Sequence, residues 1–562
     1  MYKLFTFFIF LMHFLSINAE DVNSNDSDLL NNMKLLVSDD DDIVSNAINN
    51  LAKTGDPRLE DFFEFYRNSS LYIWNDKIVV CEETIEDEDF NELAPLITPL
   101  DKQPILDITG IQVKPDIFEL IEVSPSRKHR IEARNALILL TLSSPNNEYR
   151  FSAVKKSGMP PYNYNAIPVL KIIQNNDTIE KIRFTAKESF LLLSVSLADT
   201  NKNKDQMIKY LEQLVEINSL RSIPVIESLK KKYNNDKATE VLLSKLHSKI
   251  IKHQKFINQI TYVFQGLSLG SILIIMALGL AITFGLMGII NMAHGELMMI
   301  GGFSTYIIQE IFVRNFSAEY FDYYFLVALP SSFIISFIVG LIIEFTVVQK
   351  LYRRPLESLL ATWGISIILI QTTRLIFGDN IGVNSPEFLR GGYELMNGLI
   401  LPYNRLFIIL MCIVSLLIIY YLFGRTSLGL KVKATMQNRD MATALGVNTR
   451  AVDRFTFAFG SGLAGIAGCC LTLIGGVTPD MGQNYIVESF LVVVTGGVGE
   501  LLGVIFSGFG IGILTKILEP MNIAGFDIGA IWSKVLVLIF VVIFIQFKPS
   551  GLFPPKGRLA DD

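Results

Sequence analysis

Asn291, His294 and Glu296 stand close together in the stretch GLMGIINMAHGELMMIGG (residues 285–302), inside an apolar span. Ionisable side chains in a span are costly and usually face a bundle interior or a path. The three supply an amide, an imidazole and a carboxyl, a mixed set of donors and acceptors suited to a polar solute. Glycines at 285, 288, 295, 301 and 302 allow the helix to break and the backbone to come close. A second stretch, TGGVGELLGV (495–504), has the same character; it contributes Glu500, with Glu488 a little upstream. Irregular backbone at membrane depth is tolerated only where protein or a water-filled cavity satisfies the freed groups. Broken helices of this kind often line a translocation pathway. Two readings stay open at this point. Asn291, His294, Gly295 and Glu296 line a path, or the polar residues cap the second helix at an interface.

The elements that must carry these residues follow from the distribution of apolar residues, which make up 50% of the chain. From about Phe256 onward, stretches near 260–286, 290–313, 324–348, 357–377, 404–424 and 455–474 are long enough to cross hydrocarbon. A glycine-broken pair near 485–518 and a last span at 529–547 bring the expected number to about eight or nine. Basic residues cluster in the loops around Lys350 and Arg354, in the loop from Arg425 to Arg454, and in the tail. These loops are expected to be cytoplasmic. Counting back from them places the region before the first span on the outer side of a bacterial inner membrane, in the periplasm. That count requires residues 485–518 to hold two crossings or a re-entrant break.

The N-terminus agrees by a separate route. Lys3, the apolar run LFTFFIFLMHFLS and Ala19 read as a signal peptide over 1–19, with an uncleaved first helix as the alternative. Residues 20–250 then read as a soluble helical domain. The segments GDPRLEDFFEFYRN (55–68), AIPVLKIIQNND (166–177) and SIPVIESLKKKYNND (222–236) share a proline near a helix start and apolar residues at helical spacing. Paired helices with a proline-led second member are similar to HEAT repeats. The segment LYIWNDKIVVCEE interrupts them with an alternation suited to a hairpin. The expected fold is therefore all-α: a HEAT-like solenoid followed by a polytopic helix bundle from 256 to 558.

Composition excludes several classes. Four cysteines, Cys81, Cys412, Cys469 and Cys470, have no zinc spacing and offer no disulfide framework. The net charge of −6 is concentrated in acidic runs of the first hundred residues, which argues against nucleic acid. No G-x-x-x-x-G-K-[ST] occurs, so any ATP is used by a partner chain and no cofactor is expected in this one. No nucleophile-and-base pattern suggests an enzyme.

The loop GRTSLGLKVKATMQNRDMATALGVNTRAVDRF (424–455) reads as short amphipathic helices, with Gly446 as a stop and Asn448 or Thr449 as the next cap. Its basic, partly apolar face calls for a partner, either lipid or a soluble protein.

The stretch GIINMAHGELMMIGG resembles the signature of the branched-chain amino acid family of ABC permeases, and the loop GLKVKATMQNRDMATALGVNTRAVDR is similar to that family's cytoplasmic coupling segment. The resemblance covers about 259–558. Within the family, LLATWGISIIL, LPYNRLF, SFLVVVTGGVGELLG, KILEP and FKPSGLFPPKGR resemble the urea-importer branch and its urea permease subunit. This implies a heteromeric importer, with a second permease subunit, two ATP-binding subunits and a periplasmic solute-binding protein. By the same resemblance, Asn291, His294 and Glu296 line or brace the path, with Gly295 between them. Thr362 and Trp363 are placed near it, an interfacial anchor being the other reading of Trp363. Glu488 and Glu500 join the path residues because a carboxylate in a span is costly. Met436, Asn438, Asp440, Ala442, Leu445 and Gly446 would dock on the ATPase.

Urea is the solute this branch implies. Few cations lie in the spans beyond Arg374, Lys516 and Lys534, which leans toward a neutral solute. The rival readings are an importer of branched-chain amino acids or short amides, a passive urea or amide channel, and a periplasmic sensor on a membrane anchor.

Overall fold

The computed structural model describes residues 29–553, except 39, 55, 57, 76, 87–91, 107–111, 143, 145, 290, 353, 524 and 525. The signal-peptide reading of 1–19 and the tail cations Lys556 and Arg558 lie outside the described residues. The chain divides into two compact units, Met1–Ile251 and Lys252–Asp562.

The first unit begins with helices α1 (Asp41–Thr54), α2 (Leu59–Arg67) and α3 (Arg127–Thr141). Leu51, Phe62, Phe63, Tyr66 and Ala133 form part of their shared core. Between α2 and α3 the all-helical expectation is corrected. Strands β1 (Leu71–Trp74) and β2 (Lys77–Val80) form an antiparallel hairpin in which Leu71 faces Val80 and Trp74 faces Lys77. The alternation at LYIWNDKIVV did forecast this pair. Asn75 at φ 49° makes the tight turn, a conformation asparagine tolerates better than most residues. Strands β3 (Ile85–Glu86) and β4 (Glu92–Leu93) form a separate antiparallel pair, and β5 (Ile121–Glu122) joins the hairpin beside β1. Two-residue strands leave no periodicity to read.

Helices then take over: α4 (Asn147–Ser157), α5 (Ala166–Asn176), α6 (Glu180–Thr200), α7 (Lys204–Glu216) and α8 (Ser222–Lys232). Two of the proline-led segments start helices as expected. Pro168 and Pro224 each occupy the third helical position, where no intrahelical N–H bond is lost. Buried Glu188 on α6 ties this stack to the turn before α8, accepting from Ser219 at 2.5 Å and from Arg221 at 2.9 Å.

Helix α9 (Lys237–Met287) carries the chain into the second unit. There follow α10 (His294–Asn315), α11 (Tyr324–Thr346), α12 (Pro355–Phe377), α13 (Tyr403–Arg425), α14 (Ser427–Gln437), α15 (Arg439–Ala444), α16 (Thr449–Leu471), α17 (Met481–Gly496), α18 (Leu501–Leu518) and α19 (Gly529–Phe547). Among the described residues seven helices are long and apolar enough to cross a membrane, fewer than the eight or nine expected. The two not among them are α10 and α17. Helix α17 has 16 residues, so it rises about 24 Å, short of the hydrocarbon thickness. Helix α10 interrupts its apolar run with Ser304, Thr305, Gln309 and Glu310.

Helix α16 is the centre of the second unit, with most of its side chains buried against α10 and α11. Small residues let the backbones meet, as is usual between membrane helices. A Cβ on Gly279 of α9 would lie 2.5 Å from the Gly460 oxygen of α16 and 3.0 Å from the His294 ring. Helices α17 and α18 form a hairpin whose turn, 497–500, uses Gly497 at φ 103° and Gly499 at φ 86°. The second expected break is thus a helix–turn–helix.

Candidate functional site

The first break lies between α9 and α10, at 288–293, and is held from two sides. The Asn291 side-chain oxygen accepts from the Ala293 N–H at 3.1 Å, a turn that opens α10. The Thr362 hydroxyl of α12 accepts from the Met292 N–H at 3.1 Å and donates to the Leu359 carbonyl at 3.1 Å. Both residues therefore satisfy backbone that a helix break would orphan.

His294 and Glu296 are buried in the same place. The His294 Nε2 donates to the Met276 carbonyl of α9 at 3.1 Å, which leaves Nδ1 without a partner. Ser366 of α12 neighbours the Glu296 carboxyl, yet its Oε2 is unpartnered. The Asn291 Nδ2 is unpartnered too. One donor and two acceptors thus lie buried and unused beside the break. Unsatisfied buried groups cost about 1–3 kcal/mol each, so these three are groups that a polar guest at the break would satisfy. Gly295 makes the approach possible: a Cβ there would lie 2.6 Å from the Gly482 oxygen of α17.

The other expected path residues lie elsewhere. Trp363 is 50% exposed on α12, in line with exposed Leu360 and Ile367, so it faces outward. Glu488 lies about two turns along α17 from Gly482 and pairs with Lys534 of α19 at 2.9 Å. Glu500 stands at the start of α18, half-buried, in the hairpin turn.

The segment 426–448 folds as two short helices. The Asn438 side chain caps α15 by accepting from the Met441 N–H at 2.9 Å, Gly446 takes φ 87°, and Asn448 caps α16 through the Ala451 N–H at 3.2 Å. Ala442 is buried, whereas Asn438, Asp440, Met441 and Leu445 point outward, Leu445 being 79% exposed. Met436 turns inward. Its methyl would lie 3.6 Å from a Cβ on Gly285 and 3.5 Å from one on Gly499, so it touches the rim of both helix breaks. A cavity of about 170 Å³ adjoins it, lined by Ala281, Phe423, Val432 and Leu501 among others.

A charged cluster beneath α11 and α16 escaped the sequence reading. Arg439, the first residue of α15, pairs with wholly buried Asp453 and stacks over the Tyr352 ring, 5.0 Å from its centroid. The Tyr352 hydroxyl donates to buried Glu344 at 2.6 Å, and Arg454 stands 3.6 Å from that carboxylate. Burial, with Glu344 beside it, pushes the Tyr352 phenol up, so it remains a donor. An acidic residue at the end of an apolar span was the one available signal. Among the described residues no group of His, Cys, Asp and Glu could hold a metal.

The family model described as "Branched-chain amino acid transport system / permease component" matches residues 262–545. The high-affinity branched-chain amino acid permease protein BraD of Pseudomonas aeruginosa is 26% identical over 299 residues, 51% of this chain and 93% of that protein. The probable permease LivH of Methanocaldococcus jannaschii is 23% identical over 290 residues, 50% of this chain and 88% of that protein. LivH of Escherichia coli (strain K12) is 26% identical over 310 residues, 53% of this chain and 96% of that protein. No solved structure matches. The matched region takes in both helix breaks and the segment between α13 and α16, and the chain belongs to the branched-chain amino acid transport permease family.

Proposed function

We propose that this chain is one of two permease subunits of an ATP-driven importer in the bacterial inner membrane, carrying a small amino-acid-class solute. The family match over 262–545, which is shared with relatives named as branched-chain amino acid permeases, carries this reading. In the reading, a periplasmic binding protein delivers solute, and two partner subunits hydrolyse ATP against Met441 and Leu445. This chain itself uses no cofactor. The unpartnered Asn291 Nδ2, His294 Nδ1 and Glu296 Oε2 exchange hydrogen bonds with the passing solute when the break opens. Met436 passes movement of α14 to both breaks.

The first unit is periplasmic in this reading, sent outward by the signal peptide at 1–19, and its helices from α3 to α8 stack in HEAT-like pairs. A second reading keeps the machinery and takes urea as solute. It rests on the segments LLATWGISIIL and FKPSGLFPPKGR and on the mixed donors and acceptors at the break.

The deciding experiment is uptake of labelled L-leucine and labelled urea into vesicles holding this chain, its second permease, the ATPases and the binding protein. Leucine uptake that needs ATP and the full complex supports the first reading, and urea uptake on the same terms supports the second. Flux through this chain alone without ATP would overturn both.

A further inference from the structure

The cavity beside Met436 lies where four helices meet. Ala281 and Ile282 of α9, Phe423 of α13, Val432 and Met436 of α14 and Leu501 of α18 give it apolar walls, and its volume is about 170 Å³. Close-packed interiors keep few voids larger than a water molecule, so a space of this size is a feature of the fold. It is separate from the groups around His294. Ala281 stands about 200° around α9 from Gly279, the residue whose Cβ would meet the His294 ring.

The single charge in its lining is Lys433 of α14. Lys433 is exposed and has no hydrogen bond or ion pair among the described residues, so it sits where the cavity meets the medium with its ammonium open. No lining side chain offers a carboxylate, an amide or a hydroxyl. The walls therefore suit an apolar body with one anionic end, and they give an ammonium no acceptor of that kind. A dry apolar cavity of about 150 Å³ takes a guest the size of benzene, which sets the body here at about four to six carbons.

We propose that this cavity is a regulatory site for a short branched aliphatic carboxylate, which enters from the side of the coupling segment. Its hydrocarbon fills the space between α9, α13, α14 and α18, and its carboxylate takes the open ammonium of Lys433. The site goes beyond the import reading and does not depend on which solute the permease carries. Met436 is one wall of the cavity and also touches the rims of both breaks at Gly285 and Gly499. A guest packed against it holds α14 to α9 and α18 in the arrangement in which Asn291, His294 and Glu296 are buried. A ligand that fits one arrangement better shifts the population toward it, so occupancy keeps the breaks shut and slows transport.

The test is equilibrium binding of labelled 4-methylpentanoate to the full-length chain in lipid nanodiscs, with empty nanodiscs subtracted. Saturable binding is expected. Lys433→Gln removes no existing partner, so the chain should fold as before. It should weaken binding about tenfold, the scale of one charge-assisted hydrogen bond, with Lys433→Arg recovering part of it. Ile282→Phe fills the cavity from a half-buried position and should abolish binding while the melting temperature stays near wild type. In the reconstituted importer, 4-methylpentanoate on the ATPase side should lower uptake of whichever solute the complex carries, and Lys433→Gln should need about tenfold more of it. Binding that neither variant changes would overturn the proposal. So would binding that keeps tightening from the six-carbon to the twelve-carbon carboxylate, because that is a groove for lipid tails. Specific binding with uptake unchanged would overturn the regulatory role.

Discussion

The guanidinium of Arg439, at the first position of the short helix α15, is paired with Asp453, a carboxylate with no exposed surface inside α16. The pair joins the segment offered to a partner to the most buried helix of the second unit. Arg439→Ala would leave Asp453 buried without its cation. Removing one member of a buried pair costs about 3–5 kcal/mol, and the partial exposure of Arg439 puts the expected loss at the lower end. Helix α15 should loosen first. The expected outcome is an assembled complex whose ATP hydrolysis no longer responds to loaded binding protein, measured beside the complex's melting temperature. Asp453→Asn should behave alike, because it too breaks the ion pair.

Thr362→Val tests the brace on the first break. The substitution keeps the shape and deletes the acceptor for the Met292 N–H. An unsatisfied buried amide costs about 1–3 kcal/mol, so the complex should melt earlier and uptake should fall. Thr362→Ser retains the oxygen and should keep both near wild type. A Thr362→Val near wild type beside an impaired Thr362→Ser would show that the methyl, not the hydroxyl, matters at this position.

The backbone contact of Gly295 with Gly482 makes a third prediction. Alanine at 295 would press its Cβ to 2.6 Å from the Gly482 oxygen and push α10 from α17. Overpacking of this kind costs about 1–3 kcal/mol. Uptake should fall with Gly295→Ala, whereas Gly364→Ala, at a site with open space around it, should be silent in the same uptake and melting assays.

These outcomes bear on what the amino-acid order could disclose. The breaks at 288–293 and 497–500 were legible because glycines and polar residues interrupt otherwise apolar runs. Gly446 and Asn448 were legible because stops and caps are local. Strands β3 to β5 were not, since pairs of two residues carry no pattern. Tyr352 and the Arg439–Asp453 pair were not, since each gains its meaning from a helix distant in sequence. Glu488 was singled out as a path residue, but its partner Lys534 was counted only as one of a few stray cations. The cation argument for a neutral solute is weakened by that pairing.

The first unit supplies the pH prediction. Despite burial, which raises it, the Asp177 carboxyl is held below its usual value by the Arg150 hydrogen bond at 2.6 Å and the Ile179 N–H. Asp236 is lowered to about 2 by Lys204 at 2.7 Å, together with the Thr239 hydroxyl and N–H at the start of α9. Both carboxyls bind protons more weakly folded than unfolded. Their stabilisation is therefore complete above the unfolded value near 3.8 and disappears as pH falls toward about 2. Hydrogen exchange of the full-length protein should show the Thr239 and Glu240 amides losing protection across that window, before the buried amides of α6. In Lys204→Ala, which removes the first cause of the lowering, the loss should begin at higher pH. If the two profiles coincide, Lys204 is not what holds Asp236 charged, and the first turn of α9 owes its order to the Thr239 contacts alone.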